Sequence, residues 1–341
     1  MTHEFCTLFD SGYLFKALSV YASLERHCER FHLTALCVDE EAERLLRLLA
    51  LPNMSVLPLA ELEARDRALA ATKADRNRFE YCCTATPALP LHLLETRPEL
   101  DEITYIDADL FFFSSPEPLF AEMGDASVLI TPHRFPEYLR HYEANGIFNV
   151  QFMTFRRDER GLAALRWWHD RCLEWCYLRL EDGKFADQKY LDDWPERFEG
   201  VHVSRHKGCG LAPWNITQFD VHETPNGIYV DEDPLIFFHY HRVRALSSGG
   251  YLWRPPGYYI SAENRRLVYD PYLEELDRSL EQVRATVPGF AGGLDAPPSR
   301  KENFQLELNH AASWFVWKTP WLMKYRNRRW RVPEEALANA A

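Results

Sequence analysis

The chain has 341 residues, of which 46% are hydrophobic, 26% charged and 14% aromatic, with a formal net charge of −12. That length suits one large domain with a smaller appendage, and the acidic balance excludes a protein that grips nucleic acid through its phosphates. A small phosphate-bearing substrate would need local positive charge, which a bound divalent cation supplies.

Residues 5–9 form a short apolar run, followed by the turn Asp10-Ser11-Gly12. Over 13–26, Leu14, Ala17, Leu18, Tyr21 and Leu24 fall at helical spacing. A second strand is expected at 32–38, a helix at 40–49 and a short strand at 55–57. This order predicts a parallel sheet covered by helices. The charged stretch 59–75 reads as helical, and a further helix is expected over 87–95. Strand 102–106 then carries Asp107 and Asp109 at its C-terminal end, the edge where open α/β sheets bind ligands.

Further strands are expected at 127–131 and within 146–156. A tryptophan-rich helix follows over 161–180, then a helix start within 185–194 and a strand at 201–203. Residues 207–215 form a loop with Gly208 and Gly210, and strand 235–240 ends in His239-Tyr240-His241. The Gly/Pro-rich stretch 249–257 marks the expected boundary. Residues 1–256 would be the main domain and 257–341 a mainly helical extension, with 264–284 helical and 288–298 a loop. The ten tryptophans suit either core filling or stacking on sugar and base rings.

Eight cysteines are scattered without a C-x-x-C pair. Cys172 and Cys176 are four apart, but no second pair at zinc spacing accompanies them. Reduced thiols are expected, and the start of the chain reads as no signal sequence, which gives a cytoplasmic location as the expectation. No apolar run reaches the roughly 18 residues of a spanning helix.

Five segments carry candidate chemistry. Asp107 and Asp109, one residue apart at a strand end, would lie on one side of an extended backbone and hold a hard cation. Two charges beside Phe111-Phe112-Phe113 are costly without a counter-ion. His239, or His241, can add a nitrogen ligand. Asp187 and Gln188 follow the Gly183 break, either as helix-capping residues or as a grip on sugar hydroxyls. Asn149 and Gln151 alternate with apolar residues and need partners, from ligand or backbone. The glycines at 208 and 210 allow close backbone approach, with Trp214 as a wall, or belong to a structural loop.

This ordered set resembles the GT-A class of nucleotide-sugar glycosyltransferases, and more closely a bacterial group of that class related to the family 8 retaining enzymes. The matching pieces lie between residues 5 and 245: Thr7 with the helix near Tyr13, Arg78-Phe79-Glu80-Tyr81, Tyr105-Ile106-Asp107-Ala108-Asp109, Phe148-Asn149, Asp187-Gln188, Ala212-Pro213-Trp214-Asn215 and Phe238-His239-Tyr240. The resemblance implies a GT-A (Rossmann-like) sheet and a nucleotide-diphosphate sugar as donor, uridine in preference to guanosine. Asp107 and Asp109 would bind Mn²⁺ or Mg²⁺ with the diphosphate, and His239 would complete the site. Thr7, Phe9 and Tyr13 would line the base and ribose pocket, with Trp214 and Asn215 also on the donor side. Arg78 would approach the diphosphate or sugar, and Asn149, Asp187 and Gln188 would face the donor sugar.

Two departures stand out. The family's Asn-x-Gly segment is Asn149-Val150-Gln151, and the lysine-bearing tail after the metal histidine is replaced by His241-Arg242-Val243-Arg244. Arg242 or Arg244 is therefore expected to take the part of the diphosphate-clamping lysine.

The segment WFVWKTPWLMKYRNRRWR opens at Trp314 and closes at Arg331, with six Lys/Arg and no acid. It reads as a contact with anionic headgroups at the inner membrane surface, or as a helix packed on the main domain. The expected function is sugar transfer to a glycan, glycolipid or protein acceptor, in surface polysaccharide or glycolipid synthesis. The alternatives are a sugar-phosphate nucleotidyltransferase, whose Gly-rich basic loop Asp10-Ser11-Gly12-Tyr13 does not match, and a non-catalytic carbohydrate-binding protein.

Overall fold

A computed structural model describes residues 2–319. The chain alternates strands and helices at first: β1 (His3–Phe9), α1 (Leu14–His27), β2 (Phe31–Cys37), α2 (Glu40–Leu49), β3 (Met54–Pro58), α3 (Leu59–Arg65), α4 (Arg67–Thr72), α5 (Arg78–Thr96) and β4 (Glu102–Ile106). Next come β5 (Leu110–Phe112), α6 (Glu117–Met123), β6 (Val128–Pro132), β7 (Phe148–Arg156), α7 (Glu159–Glu174), α8 (Trp194–Arg197) and β8 (Val201–Val203). The last third holds β9 (Val221–Thr224), β10 (Gly227–Val230), β11 (Asp233–Pro234), β12 (Phe237–His239), β13 (Arg244–Leu246), β14 (Tyr251–Leu252), α9 (Ala262–Asn264), α10 (Asp270–Thr286), β15 (Leu294–Asp295) and α11 (Arg300–Lys318).

Seven strands form the main sheet in the order β3-β2-β1-β4-β7-β6-β8. Only β7 runs against its neighbours, so the expected mostly parallel α/β sheet is what the chain builds. The order reverses between β1 and β4. Such a switch point opens a crevice outside the C-terminal strand ends, where ligands of doubly wound folds sit.

Helices cover both faces. On one, α5 and α7 bury Ala85, Leu89, Leu165 and Trp168 against Tyr105 and Phe155. On the other, α1, α2 and α10 bury Leu14, Phe15, Leu18, Leu45, Leu46 and Leu276. Each fully buried aliphatic or aromatic side chain contributes about 1.5–3 kcal/mol. Helix α10, beyond the expected boundary, shares this second core: Tyr272 stacks on Tyr240 with ring centroids 3.6 Å apart.

Helix α5 begins nine residues before the expected helix. Asn77 and Glu80 form a reciprocal capping box, which starts the helix upstream of Pro87. The long helix expected over 161–180 stops at Glu174, where Trp175 turns extended. The segment within 185–194 forms only a 3-10 turn over Gln188–Leu191.

Glu122 ties α6 to the end of β8. It accepts from Ser204 Oγ at 2.8 Å and from the Arg205 amide at 2.6 Å. Burial works against its charge, yet these donors hold its carboxyl below the ordinary carboxylate range. A depressed folded-state value stabilises above the unfolded value and is lost as pH falls through the folded one. Glu122→Gln is therefore expected to cost about 1–2 kcal/mol at neutral pH. That deficit should vanish toward pH ~3, as read by urea unfolding at the two pH values.

Candidate metal centre

Asp107 and Asp109 flank a turn after β4, not a continuing extended strand. The chain leaves the main sheet here and enters a separate ladder, in which Leu110 pairs with His239 of antiparallel β12. Tyr240 N donates to the Asp109 carbonyl at 2.9 Å, and Asp107 N donates to the Gln151 carbonyl at 3.0 Å. The turn and the ladder bring the two acids and the histidine together.

His239 Nε2 lies 3.2 Å from Asp109 Oδ1 and 3.9 Å from Asp107 Oδ2. One ligand atom from each of the three residues falls within 4.8 Å of the others, the sole such group among the described residues. Burial pushes the Asp107 carboxyl up to about 6 against the pull of His239, with the Asp109 charge adding to the rise. Burial opposes ionisation of Asp109 too, but the His239 charge and hydrogen bond, with Lys16, hold it at about 2. His239 is itself raised: burial would lower it, and Asp109 overrides burial. Two hard oxygens and one imidazole nitrogen fit Mn²⁺ or Mg²⁺. A cation would also compensate the two buried acids.

His241 stands apart, its ring centroid 6.3 Å from that of His239. Burial, with the charge of His239, lowers it to about 3, so it is neutral. Asp187 is buried and is held from the core, where Trp168 Nε1 donates to its carbonyl at 2.9 Å. Burial and the nearby Asp107 carboxylate push its own carboxyl up to about 7. Gln188 Nε2 donates to the Asn145 carbonyl.

Asn149 spends both ends of its amide on protein: Nδ2 meets His133 Nε2 at 2.9 Å, and Oδ1 accepts from Gln151 N at 2.8 Å. Trp214 packs edge-on to His239, ring centroids 5.4 Å apart, and donates to the His133 carbonyl. Asn215 donates to the carbonyls of His133 and Gly210. The close approach that the loop glycines permit is to protein. A Cβ on Gly208 would overlap the Pro234 carbonyl, and one on Gly210 would sit 2.8 Å from Gln151 Nε2.

At the ends of β1 and β2, Asp10 caps Gly12 N and Asp39 caps α2. Arg78 spans the two, at 2.8 Å from Asp10 and 2.6 Å from Asp39. Thr7 is fully buried with its hydroxyl unpartnered, Phe9 is core, and Tyr13 is 42% exposed. Lys16 also belongs to this region, although no motif marks it. Its side chain is buried, and its ammonium lies 3.9 Å from the centre of the Tyr13 ring, with no ion pair among the described residues. Its signal was a lone cation inside the apolar run Leu14-Phe15-Lys16-Ala17-Leu18. Arg244, by contrast, is paired with Asp295 at 2.5 Å.

These observations define a doubly wound α/β protein with a candidate divalent-cation centre at its switch point. No family model matches the chain. It is 33% identical over 299 residues to the uncharacterized protein YfnD of Bacillus subtilis (strain 168), covering 86% of this chain and 94% of that one. It is 31% identical over 302 residues to the uncharacterized protein YfnF of the same organism, covering 86% and 97%. The chain belongs to the family of YfnD and YfnF. Among solved structures it is similar to the galactosyltransferase LgtC in complex with donor and acceptor sugar analogs (TM-score 0.48, 16% identity, 88% of this chain and 99% of that one). It is also similar to the glycosyltransferase GlyE of Streptococcus pneumoniae TIGR4 (TM-score 0.46, 13% identity, 86% and 66%).

Proposed function

We propose that this protein is a metal-dependent glycosyltransferase that moves a sugar from a nucleotide-diphosphate donor to a glycan, glycolipid or protein acceptor. The observation that carries the reading is the convergence of Asp107, Asp109 and His239 outside the strand ends at the β1/β4 switch point. Asp107, Asp109 and His239 would hold a divalent cation, which would supply positive charge to a leaving diphosphate. Mn²⁺ or Mg²⁺, a UDP-sugar before a GDP-sugar, and retention of the linkage follow from the family 8 resemblance. An anomer-resolved NMR spectrum of the product tests retention, and an inverted linkage refutes it.

The chain's own residues take the remaining parts. Asp10, Arg78 and Tyr13 stand at the crevice that would take the nucleoside, over Thr7 and Phe9 in β1. Asp187 is suited to face the positive charge that develops at the anomeric carbon, with Gln188 and Asn149 lining the same wall. Trp214 and Asn215 hold that wall through the carbonyl of His133.

Lys16 is the cation we assign to the diphosphate, in place of Arg242 or Arg244. A buried, unpaired ammonium costs stability until an anion arrives. Lys16→Met is therefore expected to weaken UDP–Mn²⁺ binding about tenfold or more, while the ligand-free protein melts at the same temperature or higher. Calorimetry and a thermal melt on one preparation read both.

Residues 1–256 would hold the donor site and 257–341 a helical extension. Among the described residues no helix is long and apolar enough to cross a membrane. The basic-aromatic segment from Trp314 to Arg331 is described only as far as Thr319; within that part Trp314 and Phe315 are exposed. We assign it to peripheral contact with the inner membrane surface, which would give a cytoplasmic enzyme access to surface-polysaccharide or glycolipid acceptors.

Thermal stabilisation by UDP or GDP with and without Mn²⁺ tests the reading. A shift of several degrees at about 100 times the dissociation constant is expected, and a protein blind to both nucleotides refutes it.

A further inference from the structure

Gln151 occupies the place where the resembled family has a glycine. Its side chain is fully buried in β7. Such a residue needs both ends of its amide satisfied, and each end here has one partner of defined role.

Thr131 Oγ1 donates to the Asn149 carbonyl at 3.2 Å. A hydroxyl has one proton, so toward Gln151, 3.3 Å away, Thr131 can only accept. The amide end facing Thr131 is therefore the NH₂. The other end, the carbonyl Oε1, faces His239 Nδ1 at 2.9 Å. An amide oxygen only accepts, so His239 Nδ1 carries a proton. When the ring is neutral, its Nε2 is left with a free lone pair, and that nitrogen is the one turned toward Asp107 and Asp109.

The neighbours leave Gln151 little freedom to turn. Its backbone amide is held by Asn149 Oδ1, and Asn149 is held in turn by His133. Gly210, with a φ of +76°, leaves the space that Nε2 occupies.

We infer that Gln151 is a positioning residue that fixes the tautomer and ring orientation of His239, so that Nε2 is presented to a divalent cation. The inference rests on the metal-centre reading above. Outer partners of ligating histidines act in this way, and their loss typically weakens metal binding about 10–100-fold.

The test compares wild type, Gln151→Met and Gln151→Glu by Mn²⁺ titration, reading free Mn²⁺ by electron paramagnetic resonance, with thermal melts in EDTA alongside. Gln151→Met keeps length and burial but loses the acceptor, so its Mn²⁺ dissociation constant should rise about 10–100-fold. Gln151→Glu keeps an acceptor and should bind within a few-fold of wild type. Wild type that binds Mn²⁺ alongside a Gln151→Met that binds equally well overturns the inference and leaves the metal centre standing. Wild type that binds no Mn²⁺ overturns the metal centre. A second measurement needs neither variant nor metal. In EDTA, ¹⁵N spectra of wild type should show His239 Nδ1 protonated whether the ring is charged or neutral, and an Nδ1 without a proton overturns the assignment.

Discussion

Replacing Asp109 with alanine is expected to abolish the Mn²⁺-dependent response to nucleotide and to lower sugar transfer by about a thousandfold or more. Asp109 is the acid closest to His239 and the one held ionised, at about 2, so it presents a carboxylate at any working pH. Removing it leaves the raised Asp107 and the imidazole with no fixed anion between them. The fold should survive, because the structural bond at this position is made by its backbone: the Asp109 carbonyl accepts from Tyr240 N, and alanine keeps that carbonyl. Circular dichroism should match wild type and the EDTA melt should fall by a few degrees with the loss of the Asp109–His239 pair, while calorimetry with Mn²⁺ and UDP should show no heat above dilution. A variant that still responds to Mn²⁺ as wild type does would remove Asp109 from the centre.

The second large effect is on stability. Gly208→Ala is expected to cost about 4 kcal/mol or more. A Cβ at this position would lie 2.8 Å from the Pro234 carbonyl carbon and 3.0 Å from the Leu235 Cα, and would overlap the Pro234 oxygen. All of these are backbone atoms, which no rotamer change can move aside. The Gly208 carbonyl also accepts from the amides of Ile236 and Phe237, so any shift is passed to the start of β12 and to His239. Urea unfolding should show the loss, and Mn²⁺ affinity should fall with it even in the fraction that stays folded. The control is Gly183→Ala, whose Cβ would meet nothing within 4 Å. It carries only the strain of a positive φ, about 1 kcal/mol.

Much of this was legible in the residues. The alternation of apolar runs and helical spacings over residues 5–106 gives the parallel half of the sheet, because a buried parallel strand needs a continuous apolar run. Asp107, Asp109 and His239 were legible as chemistry, since charged or imidazole groups at the ends of apolar strands have few inert uses. Their mutual geometry was not. It depends on β5 pairing with β12, across more than a hundred residues of chain, and on a turn where the sequence suggested extended backbone.

Other features have weaker local signals. The capping box Asn77…Glu80 marks the start of α5, upstream of the helix expected from residue 87. The run Pro225-Asn226-Gly227 announces the hairpin of β9 and β10: proline sets the first turn residue, and Gly227 takes the positive φ that follows. The partner of Gln151 and the burial of Lys16 are set by long-range packing. An amide at alternating spacing says only that a partner is required, and the partner lies 88 residues away. A lysine inside an apolar stripe says only that its charge must be answered from outside its own helix.

The most direct measurement is hydrolysis of a panel of UDP- and GDP-sugars, followed by release of the nucleoside diphosphate, with Mn²⁺ or with EDTA. The account predicts slow, Mn²⁺-dependent hydrolysis of at least one donor by wild type and none by Asp109→Ala. Hydrolysis that persists undiminished in EDTA and in Asp109→Ala would contradict it.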